Sequence, residues 1–161
     1  TVAEDVARGA GSLSSAADIY GVVLSGSSEP DLAATHRRRD KIRKARLDES
    51  EGLVTGDATI TFFGSGVLEF GGVLNIDFAA DKISCGYCKR THCRPGDNLL
   101  THLREVNSSL SAAGPIRGED YDRGRFHLRQ LICPECGGMV DVEVAFEGAP
   151  RSLTKIGIEG T

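Results

Sequence analysis

Two Cys-x-x-Cys pairs, Cys85/Cys88 in "SCGYCKR" and Cys133/Cys136 in "LICPECGG", constrain this chain more than any other feature. Such a turn presents two thiolates from one loop. Two turns supply four soft ligands, the set a tetrahedral ion such as zinc takes in a structural site. The glycine after Cys136 suits a turn whose backbone amides point at sulfur and whose last residue tolerates φ > 0. The expected metal ligands are therefore Cys85, Cys88, Cys133 and Cys136. Placed at the ends of hairpins, two such turns make a zinc ribbon. Forty-four residues lie between Cys88 and Cys133, against the ~15–20 of a compact spacing. An insertion is expected to loop out between them, at a cost in chain entropy that grows only logarithmically.

Other uses of the cysteines fit less well. A thioredoxin-type dithiol should open a helix after a strand, whereas Cys133 and Cys136 sit inside a hairpin pattern. The thiols could also be buried as small apolar residues. The chain has five cysteines, an odd number, and no visible export signal, which favours metal over a disulfide framework. Cys93 is the spare thiol, just before the "RPGDN" turn. The competing assignment has His92 or Cys93 replacing a thiolate, or joining His102 in a second site. Cys136→Ser is expected to unfold the β portion and Cys93→Ser to do little. His36 and His127 have no identifiable partners and are expected on the surface.

A closed four-thiolate site leaves no open position for water or substrate, so its ion would be structural. No other chemistry stands out. The "GSG" at Gly64 lacks the spacing and the Gly-Lys-Ser/Thr of a phosphate-binding loop, and no serine nucleophile elbow is present. Asp120 and Asp122 in "GEDYDRGR" are close enough to bind a cation but read as a solvated acidic loop. The catalytic alternative is a zinc enzyme that uses His92 or His102 with fewer thiolates.

The 161 residues allow one ordinary domain, or a small domain with a long arm. Apolar residues make up 40%, which argues against wholesale disorder, and with no tryptophan the core must rest on Val, Leu and Ile. No run approaches the ~18 apolar residues of a membrane helix, and no signal peptide is visible. A soluble, cytoplasmic chain is expected. Because it opens at Thr1 and its single methionine is Met139, a trimmed form or the tail of a longer polypeptide is also expected. Residues 1–47 carry eight Lys/Arg against six Asp/Glu, and residues 48–161 carry eleven against seventeen. The half with the cysteines is thus acidic, which disfavours nucleic-acid binding there.

Local patterns order the elements. Ser12 is the expected cap of a short helix that Gly21 ends, followed by extended Val22 to Leu24. "SGSSEP" is a linker, and Pro30 is expected at the first position of a basic helix, "PDLAATHRRRDKIRKARL". With only Ile42 and Leu47 to bury, that helix should be solvated or lie on an acidic partner. "ATITFFGSGVLEFGGVLNIDF" predicts short strands joined by tight turns, and "DKISC" a strand delivering the first pair. "DNLLTHLREVNSSL" predicts a short helix capped by Asp97 or Asn98, with Leu99, Leu103 and Val106 on one face. Phe126, Leu128 and Ile132 mark the incoming strand of the last hairpin, and Val140, Val142, Val144 and Phe146 share one face of the outgoing one. The expected class is α+β, mainly β: zinc-ribbon-like antiparallel hairpins with a long insertion, preceded by a helical and extended arm. The boundaries are an arm at 1–47, a linker at 48–57, the ribbon-like domain at 58–150 and a tail at 151–161.

Residues 58–150 resemble the small zinc-binding gamma subunit of the acetone and acetophenone carboxylases. The match runs through "GSGVLEFGG", "ISCGYC", "RPGDN" and "RFHLRQLICPECGGMVDVEVAFEGAP", and rests on Arg125, Phe126, Cys133, Pro134, Cys136, Gly137 and Val140 to Val144. That family carries a long gap between its knuckles. Lys89 departs from it, standing where a glycine usually follows the first knuckle, and Cys93 is extra. Residues 1–47 are similar to the extreme C-terminus of hydantoinase B/oxoprolinase-type subunits, through Ser12, Tyr20, Gly21, Val22, Val23 and Arg37 to Arg46. The resemblance implies a fused gene, or a fragment of one, from a biotin-independent, ATP-dependent ketone carboxylase. Structural zinc would be held by this chain, while ATP and the catalytic work would belong to large hydantoinase A/B-type partner subunits. A hydantoinase or lactam-opening complex with the same subunit plan is the alternative, and a free zinc-ribbon adaptor binding nucleic acid or protein is the second.

Overall fold

The β portion is built from two antiparallel meanders that share one core. A computed structural model describes residues 1–25, 29–56, 59–114 and 124–150. Asp120, Asp122 and the tail at 151–161 lie outside the described residues. The class is α+β, with short N-terminal helices ahead of the strands.

The arm folds on itself. Helix α1 (Val2–Ala7) is capped by Thr1, and α2 (Leu13–Asp18) by Ser12, whose Oγ accepts the Ser15 N–H at 3.0 Å. Helix α3 (Leu32–Glu49) begins two residues later than expected. Asp31 is its cap, with Oδ1 accepting the Ala34 N–H at 2.9 Å, and Pro30 sits outside, bridged to Leu24. A carboxylate can satisfy an orphan N–H and proline has no such acceptor, which decides the position. Arg38 donates from Nε to the Ala17 carbonyl (3.0 Å) and pairs with Asp18 (2.7 Å). The buried Thr35 hydroxyl accepts the Val23 N–H at 3.0 Å. Part of the basic helix is therefore engaged within the arm.

The first sheet runs β1 (Val67–Phe70), β2 (Leu74–Asp77), β3 (Lys82–Cys85), β4 (Thr91–Cys93), each strand paired with the next. The second comprises β5 (Arg104–Ser108), β6 (Phe126–Ile132) and β7 (Met139–Phe146), with β6 central. Residues 51–54 run along the outer edge of β5. The Glu51 N–H donates to Glu105 O and the Val54 N–H to Leu103 O. The segment read as a linker thus covers a strand edge that would otherwise be open to pairing with another chain.

Three further expectations change here. The helix expected after Asp97 is a single 3-10 turn, Leu99–His102, capped by Asn98 and followed by β5. Val106 pairs with Gln130 and Arg104 with Ile132, so sheet pairing overrides the helical spacing of Leu99, Leu103 and Val106. The interval between the cysteine pairs is consequently not one looped-out insertion, since it supplies β4, the 3-10 turn and β5. Residues 60–63, expected as strand, have no strand pairing, yet Ile60 and Phe62 are buried. Ile60 is held by Asn98 Oδ1 (3.0 Å) and by the Leu99 N–H (2.9 Å).

Leu74, Ile76 and Ile83 of the first sheet meet Leu99, Leu100 and Leu103 of the turn and Leu131 of β6 in one cluster, with Phe62 edge-on to Phe70. In the second sheet the two faces divide by chemistry. Arg129, 7% exposed, lies between Glu105 (3.8 Å) and Glu143 (2.7 Å) on one face. Val142, Val144 and Phe146 form an exposed stripe on the other, where Phe126 stands edge-on to Phe146. Among the described residues no helix is long and apolar enough to cross a membrane.

Candidate metal centre

Strand β3 ends at Cys85 and the hairpin turn between β6 and β7 carries Cys133 and Cys136, so the two sheets present their cysteines to each other. The chain makes the same turn twice. In the first, Lys89 N–H donates to Cys85 O (3.0 Å) and Cys85 N–H to Arg90 O (2.8 Å). In the second, Gly137 N–H donates to Cys133 O (3.0 Å) and Cys133 N–H to Gly138 O (2.8 Å). Lys89 and Gly137 hold the same place and the same left-handed conformation, φ 63° and 65°. That place favours glycine because an L side chain there crowds the following carbonyl. Lys89 sits in it with Nζ donating to Gly86 O at 2.7 Å.

The four sulfurs lie within 4.8 Å of one another, with Cys85–Cys136 at 3.7 Å and Cys88–Cys133 at 3.8 Å. A tetrahedral ion with ~2.3 Å bonds to sulfur separates its ligands by about 3.8 Å along each edge. A disulfide would bring two sulfurs to ~2.05 Å, and all five cysteines are free. The donor set and its size fit a metal ion such as zinc. Cys85 and Cys133 are buried, Cys136 is half-buried and Cys88 is exposed, so the ion would be shielded from one side.

Protonation sets the terms of binding. Burial pushes the Cys133 thiol up to about 11 and raises Cys136 further. Burial also acts to raise Cys88, but a backbone hydrogen bond from Arg90 and the neighbouring thiols outweigh it, and its net shift is downward. At neutral pH the ion must therefore displace protons, at least those of Cys133 and Cys136.

Helix α3 seals one flank. The Gly137 Cα faces the Arg43 carbonyl so closely that a Cβ would come within 2.1 Å of its oxygen and 3.1 Å of Leu47 Cγ. Arg43 stacks over Tyr87 of the first turn at 5.4 Å, and its guanidinium pairs with Asp40. Arg90 and Glu135 join the two turns at 2.8 Å. Arg43 and Lys44 line a cavity of about 290 Å³ beside Cys88 and Cys136. Four thiolates on a divalent ion carry a net charge of about −2, so these cations would face a negative centre. Both sides of this contact, the basic stretch and the glycine after Cys136, stand out locally in the sequence, but no pattern in it joins them.

No protein-family model matches the chain, and no curated protein matches it significantly.

The remaining candidates are placed elsewhere. The four cysteines are the only group of three or more metal-capable side chains among the described residues. Cys93 is buried in the shared core, where burial pushes its thiol up to about 12, so it behaves as a small apolar residue. His92 is buried as well, and burial followed by the charges of Arg90 and His102 lowers it to about 4. His102 and His36 are exposed and His127 is half-buried.

Proposed function

We propose that this chain is a non-catalytic structural zinc module, and that it serves as a subunit, or a fused part, of a biotin-independent, ATP-dependent ketone carboxylase assembly. The observation that carries the zinc assignment is the closed set of four sulfurs at tetrahedral separations. A donor set of this kind suits zinc or an iron–sulfur centre, and a closed zinc site contributes folding energy without chemistry. Cys85, Cys88, Cys133 and Cys136 would hold the ion and fix the two sheets against each other and against α3. The parent assembly is argued from the resemblance of residues 58–150 to the gamma-type subunit and of residues 1–47 to a hydantoinase B-type terminus. Supporting it, the arm and the β portion are in contact at Gly137 and Arg43, as two pieces working as one unit would be.

A hydantoinase or oxoprolinase-type complex remains the second reading, since it shares the same subunit plan. Nucleic-acid binding is less well served, because Arg38 and Arg43 of the basic helix are engaged with Asp18, Asp40 and Tyr87. Native mass spectrometry of the untagged protein from its source tests both halves of the proposal. One zinc per chain within an assembly of large subunits is expected. Iron in place of zinc would overturn the metal assignment, and a lone chain carrying zinc would overturn the subunit assignment.

A further inference from the structure

A cavity of about 280 Å³ opens between the first turn and β5, lined by Leu53, Arg90, His92, His102, Arg104 and Pro134. Its wall holds two guanidinium groups and two imidazoles, and no carboxylate lines it among the described residues. Five buried side-chain polar atoms lack a hydrogen-bond partner among those residues, and three of them belong to this wall: His92 Nδ1, His92 Nε2 and Arg104 Nε. Native interiors seldom leave such groups unpaired, and a cluster of them marks a missing partner. His92 is 8% exposed, so bulk water does not serve it. A neutral imidazole carries one N–H, which here has no acceptor, and Arg104 offers only donors. The His92 N–H and the Arg104 Nε–H lack acceptors, the second imidazole nitrogen lacks a donor, and the surrounding charge is positive.

We propose that this cavity binds a small organic anion, with a carboxylate or phosphate head held by Arg104, His92 and His102 and a short apolar body against Leu53 and Pro134. Planar guanidinium donors recognise both heads by charge-assisted hydrogen bonds. Arg90 is shared with Glu135 across the two turns, so its charge is partly spent before an anion arrives. Arg104 is less committed, with one side-chain hydrogen bond among the described residues, from Nη1 to Ser50 Oγ at 3.3 Å. The site is separate from the metal and stands whichever parent assembly is correct. Its position beside Arg90 and Pro134 couples it to the cysteine turns.

The test is a titration of the zinc-loaded full chain, labelled with nitrogen-15, first with inorganic phosphate and then with acetate, following the imidazole signals of His92 and the amides of Leu53 and Arg104. Saturable shifts confined to these residues are expected, and the tighter of the two probes identifies the head group. Arg104→Met should weaken binding about tenfold, as the loss of a charge-assisted contact implies. Lys41→Met, at an exposed position of the basic helix outside the cavity, should leave it unchanged. His102→Gln, at an exposed position, is the second variant should Arg104→Met lose its zinc or its fold, and it too should weaken binding. An unmoved His92 with both probes would overturn the proposal. So would shifts that track Lys41 rather than Arg104 or His102.

Discussion

Replacing Gly137 by alanine should detach α3 from the second cysteine turn. An added Cβ would lie 2.1 Å from the Arg43 carbonyl oxygen and 2.8 Å from its carbon, both backbone atoms that cannot rotate away. Holding alanine at φ 65° costs about 1–2 kcal/mol by itself. Relieving the overlap by moving the helix forfeits the half-buried Leu47, about 1 kcal/mol, and the Arg43–Tyr87 contact, about 0.5–1 kcal/mol. The total is about 2.5–4 kcal/mol, or a fall in Tm of roughly 10 °C for a chain of this size. Thermal melts by circular dichroism at saturating zinc would read it. Gly137→Asn separates the causes, because asparagine tolerates the left-handed region but still carries a Cβ. It should recover no more than about 1–2 kcal/mol, the conformational part. A Gly137→Ala melt indistinguishable from the parent, or full rescue by asparagine, would refute the docking of α3 on this turn.

Lys89→Gly at the matching position should stabilise the chain by about 0.5–1 kcal/mol, as relief of the left-handed strain exceeds the added backbone entropy, and urea unfolding of the zinc form would measure it. Cys136→Ser should abolish stoichiometric zinc in elemental analysis and unfold the β portion, while Cys93→Ser should keep the zinc. The structure revises the sequence expectation for Cys93, because a hydroxyl at this core position should still lower stability by about 1–2 kcal/mol. Zinc uptake should release at least the two protons of Cys133 and Cys136 at neutral pH, seen by calorimetry in buffers of different ionisation enthalpy, and affinity should fall as pH falls. His92, lowered from 6.5 to about 4, binds its proton more readily in the unfolded chain. Its contribution to stability is therefore complete above pH ~6.5 and is lost as pH falls towards ~4; after discounting for screening through the open cavity it amounts to about 1–2 kcal/mol. His92→Gln should flatten that part of the stability profile.

The four-cysteine cluster was legible because each half of it is local: two cysteines and a turn, written within a few residues. The helix caps at Ser12 and Asn98 were legible for the same reason. What depended on distant partners was not. Leu99, Leu103 and Val106 keep helical spacing, and only the pairing of β5 with β6 makes a strand of residues 104–108. Alternation along β7 grouped Val140, Val142, Val144 and Phe146; the last three form the exposed stripe, while Val140, beside the register shift at Leu131/Ile132, packs against the shared core, and periodicity says which side chains share a face but not which face is covered. Here the buried Arg129 draws Glu143 and Glu105 to the other side. Pro30 fitted a helix start by its own preference, and the neighbouring Asp31 took the cap. The anion cavity is assembled from residues 53, 90, 92, 102, 104 and 134, positions whose proximity no local pattern encodes.

The division of the cysteines between two sheets also sets an order of events during synthesis. Everything needed for the first meander and the first turn is present once Cys93 has been made, whereas the opposing sulfur of Cys133 lies 45 residues beyond Cys88. At the usual pace of a ribosome that interval lasts roughly 2–9 s. Through it the nascent chain carries half a coordination shell, open to oxidants and to any ion that accepts two thiolates. The two remaining ligands follow within four residues of each other, and the hairpin that presents them is complete only once Met139–Phe146 has been added. An ion such as zinc, if held as proposed, can be fully enclosed only after Cys136 has been made.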